Sequence, residues 1–166
     1  AERKIEMTCT LLPRDVGAGY SFLHSCHVIG DCMLLLGGCG KTLRNTAWVM
    51  DLSKEPAAWH ELKPRELPVM PSRSGHTAIA YNTLLCIFGG HDGQDLGDLW
   101  LMDPGLRSTQ DPSQSAYTMQ QILTVQVDSQ ELPRCYHVCG VWDDTLYVWM
   151  GVGAASRDDM LALSLK

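Results

Sequence analysis

The longest apolar runs in the sequence are strand-sized, well short of the eighteen or more residues that a spanning helix needs, so no membrane partner is expected. A basic stripe is also missing. Lys and Arg number 13 against 19 Asp and Glu, a formal charge of −6, and nothing gathers the cations that a phosphate-backbone binder requires; nucleic acid is therefore not an expected partner. No CxxC pair occurs among the seven cysteines (Cys9, Cys26, Cys32, Cys39, Cys86, Cys135, Cys139). An odd number of cysteines, mostly within or beside apolar runs, favours reduced, buried thiols and a cytoplasmic or nuclear location. The opening AERKIEMTCTLLPRD is too charged for a signal peptide. What is present is a chain of 166 residues, 45% hydrophobic and 19% charged, too apolar for intrinsic disorder and long enough to bury a core.

Internal repetition organises that core. Two stretches, HSCHVIGDCMLLLGGCG (24–40) and HTAIAYNTLLCIFGG (76–90), each carry an apolar run into a glycine pair, although glycine weakens a strand and leaves nothing to pack. From His24 to Gly37, His76 to Gly89 and His137 to Met150 the interval is 13 positions, with Met-Gly replacing the glycine pair in the third copy. Ten positions beyond each second glycine stand Trp48, Trp100 and Leu161, so AWVMD, LWLMD and MLALS fill one structural slot. These three histidines are 52 and 61 residues apart, close to a unit of about 50 residues with the second copy longer.

Each unit reads as short strands divided by turn residues: HSCHVIG, HTAIAYN and HVCGVWD, then CMLLLGG, LLCIFGG and LYVWMGV, then the Trp-Asp segments. Further strands are expected at AWHELK (58–63) and YTMQQILTV (117–125). No long helical period competes. The pattern predicts an all-β chain of propeller blades, in which the glycines permit close backbone approach and positive φ. The order Pro or Arg before His, an apolar strand ending in Gly-Gly, and a Trp strand closing in Asp resembles the kelch repeat. PSRSGHTAIAYNTLLCIFGGHDGQDLGDLWLMD fits best, whereas the first unit has GYSFLHS in place of the Pro-Arg pair. The resemblance covers residues 19 to 166 and implies kelch-type β-propeller blades: blade 1 at about 19–63, blade 2 at about 71–125 and blade 3 at about 133–166. Residues 3–12 suit a spare outer strand.

Three blades are too few to close a ring of about four to eight. The remaining blades are expected from a longer chain, a second copy or another protein. KPRELPVMPSR (63–73) joins blades 1 and 2, and PGLRSTQDPSQSA (104–116) reads as a surface insert.

Catalytic chemistry finds little support. A histidine at one slot per repeat fits a recurring packing or hydrogen-bonding role better than a shared metal, and Cys26 and Cys139 at matching strand positions suit core filling. Asp143-Asp144 and Asp158-Asp159 read as turn formers. HDGQDLGD lacks the spacing and final glutamate of a calcium loop. The Tyr, Cys and His set of kelch-type copper-radical oxidases cannot be assembled, so no enzyme activity, metal or cofactor is expected.

Binding is the expected function. Arg73 and Arg134 each stand three positions before a blade's histidine. The kelch resemblance implies that arginines in this slot reach the channel mouth and bind acidic or carboxylate-bearing peptides, a task suited to guanidinium geometry. Ser21 replaces them in the first unit. Ser74 and Tyr136 lie in the same loops, and Arg44 and His91 belong to the flanking loops CGKTLRN and HDGQDLG. The competing reading of each arginine is a pair with an aspartate of a blade or turn. For the whole chain, the expectation is an interaction module or adaptor; the alternative is a structural scaffold within a larger assembly, and an enzyme on a kelch propeller ranks third.

Overall fold

A computed structural model describes residues 8, 19, 21–106, 111–124, 126–127, 130–154 and 158–166. The first blade is an antiparallel meander of β1 (Ser25–Ile29), β2 (Cys32–Leu36), β3 (Ala47–Asp51) and β4 (Trp59–Pro64). The second repeats it with β5 (Thr77–Tyr81), β6 (Leu84–His91), β7 (Asp95–Asp103) and β8 (Ala116–Thr124). A short pair, β9 (Gln126–Val127) and β10 (Gln130–Glu131), leads to the third blade, where β11 (Val138–Trp142), β12 (Thr145–Trp149) and β13 (Met160–Ser164) pair antiparallel. The spare strand expected at residues 3–12 lies outside the described residues, apart from Thr8.

Local sequence sets each meander. Alternation in β2 buries Cys32, Leu34 and Leu36 toward the second blade, because successive side chains point to opposite faces. Left-handed residues Gly30, Asn82 and Asp143 start the first turn of each blade; in the third, Asp143 and Asp144 both have positive φ, as a type I′ hairpin requires. Blade 2 is buried on both faces. Leu85, Ile87, Trp100 and Met102 pack with Leu34, Leu36 and Val49 of blade 1, while Cys86, Phe88 and Leu99 pack with Leu146, Val148 and Leu161 of blade 3. At the outer rim β4 and β8 pair in parallel through Lys63–Ala116 and Pro64–Tyr117, tying blades 1 and 2 edge to edge.

The glycine pairs explain how neighbouring blades fit. A Cβ on Gly37 would come within 2.9 Å of His76 Cε1, and one on Gly89 within 2.5 Å of the Arg134 carbonyl and 3.0 Å of His137 Cε1. The first glycine thus admits the next blade's histidine. The second serves its own blade: a Cβ on Gly38, Gly90 or Gly151 would stand 2.9 Å from the Cβ of His24, His76 or His137 respectively.

Core filling by the matched cysteines is only partly realised. Cys139 is half-buried, but Cys26 is exposed because no described residue covers that face of blade 1.

Candidate functional site

The two arginines lie inside the protein, which corrects the expectation that they present guanidinium groups at the channel mouth. Both Arg73 and Arg134 are 0% exposed. Arg73 Nη1 donates to Asp98 Oδ1 at 2.6 Å and to the Gly89 carbonyl at 2.9 Å, and Nη2 donates to Asp98 Oδ2 at 2.9 Å. Arg134 repeats this arrangement with Asp159 at 3.0 Å through each oxygen and with the Met150 carbonyl at 3.2 Å. These are bidentate, charge-assisted forks, and a peptide carboxylate would have to displace the aspartate to use either.

Their backbones reach the other way. Arg73 N–H donates to the Arg44 carbonyl and its own carbonyl accepts from Gly38 N–H, both in blade 1. Arg134 makes the same two bonds to Leu96 and Gly90 of blade 2. Each arginine therefore fastens its own blade by the side chain and the preceding blade by the main chain. Burial pushes the Asp98 carboxyl up, but hydrogen bonds and charge from Arg73, with the Trp100 indole N–H, outweigh it and leave the group below the usual carboxylate range.

The histidines form a second inter-blade link, consistent with a recurring structural role. His76 Nε2 lies 2.9 Å from Ser25 Oγ, and His137 Nε2 lies 2.8 Å from Thr77 Oγ1. In both rings Nδ1 is buried with no hydrogen-bond partner among the described residues. A lone pair is less costly to bury unpaired than an N–H, which favours the tautomer that donates from Nε2. Burial, reinforced by the adjacent arginine, lowers the His76 pKa to about 3 and the His137 pKa to about 4, so both rings are neutral at pH 7.

Blade 1 lacks both members of the fork. Arg73 and Arg134 precede their aspartates by 25 positions, and the same offset from Ser21 gives Thr46. Ser21 Oγ retains one bond, to the Gly37 carbonyl at 3.4 Å, equivalent to the arginine bonds to Gly89 and Met150. Thr46 Oγ1 and Trp48 Nε1 are buried with no hydrogen-bond partner among the described residues, whereas the equivalent Trp100 Nε1 donates to Asp98.

Of the other expected binding residues, Ser74 is buried at 5% exposure and Arg44 is half-buried, with its guanidinium against Gly19. His91 is half-exposed and bonds Asp95. Tyr136 is exposed. It belongs to a staircase in which Gly75 N–H donates to the Leu23 carbonyl and Tyr136 N–H donates to the Gly75 carbonyl. All three residues have positive φ, and the Tyr136 ring covers Gly75 so closely that a Cβ there would meet it at 2.7 Å. Leu23 and Tyr136 hold this conformation with side chains 41% and 56% exposed, beside Phe22 at 46%. Sequence reasoning missed Phe22 and Leu23; only glycine at the middle position hinted at a left-handed slot.

Blade geometry, inter-blade histidines and glycine pairs define a kelch-type β-propeller array. A family model for the KLHDC2/KLHL20/DRC7 Kelch-repeats domain matches residues 23–166, and the chain belongs to that kelch-repeat family. It is also similar to Adagio-like protein 3 of Oryza sativa subsp. japonica, 37% identical over 73 residues that cover 42% of this chain and 11% of that protein. Kelch-repeat domains are generally protein-interaction modules.

Proposed function

We propose that the chain is a non-catalytic adaptor that meets a partner protein or peptide through the rim formed by Phe22, Leu23 and Tyr136. The observation that carries this reading is the pair of exposed apolar side chains held at positive φ. For a residue with a Cβ this backbone costs about 1–2 kcal/mol, and the equivalent Gly75 shows that the fold does not require a side chain there. An apolar and aromatic rim suits an anchor residue of a partner better than the acidic ligand expected of exposed arginines. The free thiols of the six described cysteines support placement in the cytoplasm or nucleus.

Leu23→Gly with Tyr136→Gly tests the rim, because glycine removes both the contact surface and the strain. Proteins recovered by the wild-type chain from lysate are expected to be lost with the double variant while its melting temperature holds or rises. Unchanged recovery would contradict the rim.

A second reading, scaffold blades in a larger assembly, draws on the outward face of blade 3. Val138, Trp142, Trp149 and Met160 are 55%, 72%, 48% and 63% exposed on that face. Any neighbour seated there meets a junction unlike the other two. Val138 stands where Ser25 and Thr77 supply the hydroxyl, and Met150 stands where Gly37 and Gly89 admit a histidine ring. A second copy closing the ring in the same register would set His24 against both. Light scattering is accordingly expected to give a monomer of 18.4 kDa, and a stable dimer would count against this view.

A further inference from the structure

One cluster at the junction of blades 2 and 3 takes no part in the arginine–aspartate forks or the rim. His91 Nδ1 lies 3.0 Å from Asp95 Oδ1, and Cys135 Sγ donates to the same oxygen at 3.3 Å. All three donor atoms fall within 4.8 Å of one another. We propose that His91, Asp95 and Cys135 bind a single zinc ion through Nδ1, a carboxylate oxygen and the thiolate, leaving a fourth position for water or an incoming ligand.

The donor set fits that ion. Nitrogen, oxygen and sulfur ligands are all accepted by borderline-soft Zn²⁺, and three protein ligands with an open fourth position form a known tetrahedral arrangement. The backbone fixes the donors beforehand. His91 and Asp95 are register partners across the β6–β7 hairpin. His91 exchanges two backbone bonds with Ser74, and Cys135 exchanges two with Val152. Entry is open from solvent, since the side chains of His91 and Asp95 are 44% and 22% exposed, while Cys135 closes the floor at 3%. Binding releases the thiol proton to water and leaves the imidazole proton on Nε2, so that Nδ1 offers its lone pair.

The repeat supplies an internal control. Devices that the fold needs recur at both junctions, as the histidine links and the glycine contacts do. At the junction of blades 1 and 2 the three positions are Cys39, Leu43 and Ser74, which keep the backbone pairing without the ligand set. The trio is thus an addition to one junction rather than a requirement of the blade.

Titration of the full chain with Co²⁺ as a spectroscopic substitute for Zn²⁺ tests the site. One equivalent is expected to produce a thiolate-to-cobalt charge-transfer band with tetrahedral ligand-field bands, and added Zn²⁺ should abolish both. Cys135→Ser and Asp95→Leu carry the residues of the other junction, so the fold should tolerate them. Cys135→Ser should remove the charge-transfer band, and each variant should weaken Zn²⁺ binding, measured by calorimetry, by at least about tenfold. Absence of a one-equivalent band in the wild type would overturn the proposal. So would a band that survives Cys135→Ser, which would place the metal on another cysteine.

Discussion

Blades 2 and 3 hold their lead-in loops with a bidentate ionic fork on a buried arginine, whereas blade 1 has at the equivalent position a serine hydroxyl bonded to the Gly37 carbonyl. The contrast teaches that the kelch unit can dispense with both partners together. Removing one charge strands the other in the interior, but losing the pair leaves only neutral groups unsatisfied. Blade 1 shows that remainder in Thr46 Oγ1 and Trp48 Nε1.

The widest separation between the blades is expected from single deletions. Asp98→Ala should destabilise the protein by about 3–5 kcal/mol, because Arg73 would keep its charge with no route to water. Ser21→Ala, at the equivalent arginine position of blade 1, should cost no more than about 1.5 kcal/mol. Urea unfolding of both variants measures the gap, and equal losses would erase the distinction.

Acidification should strike the histidine links next. Their pKa values in the folded protein, about 3 and about 4, lie below the ordinary value of 6.5. The unfolded chain therefore takes up protons first as the pH falls. Stability is full above about pH 6.5 and declines below it by up to about 1.4 kcal/mol per pH unit for each ring, until the folded value is reached. Unfolding midpoints between pH 7 and 5 should show this decline, with a shallower slope in His137→Gln; a flat wild-type profile would mean that the rings ionise without leaving their pockets.

A smaller effect is expected along the staircase. Gly75→Ala must adopt positive φ and displace the Tyr136 ring, costing about 1–2 kcal/mol for the backbone alone. In the Tyr136→Gly background the steric part should vanish and only the backbone cost remain. Leu23→Gly, the mildest change, should shift stability by less than about 1 kcal/mol, since relief of strain is offset by greater freedom of the unfolded chain. Thermal melts of the four chains order these effects.

Much of the architecture could be read from the sequence because the repeat is regular. The invariant interval from His24, His76 and His137 to the following Gly or Met position located two strands and the turn between them in each blade. The role of the arginines was harder to see, since guanidinium chemistry suits a ligand and a fork equally well. Yet a discriminating signal was present: aspartate follows arginine by 25 positions in the second and third repeats, and both are absent from the first. Proximity of Cys135 to His91 and Asp95 had no such signal. It joins residues from two blades and occurs at one junction, so no internal period could reveal it. Left-handed backbone at Leu23 and Tyr136 was hidden for a related reason, because the demand comes from neighbouring blades rather than from the residues themselves.

The clamp itself is most directly tested by a double-mutant cycle on Arg73 and Asp98, run beside the equivalent cycle on Ser21 and Thr46. A coupling of at least about 2 kcal/mol is expected for the first pair, and one within about 0.5 kcal/mol of zero for the second. No measurable coupling between Arg73 and Asp98, with Arg73→Ala as stable as wild type, would contradict the buried fork and return that guanidinium to the surface.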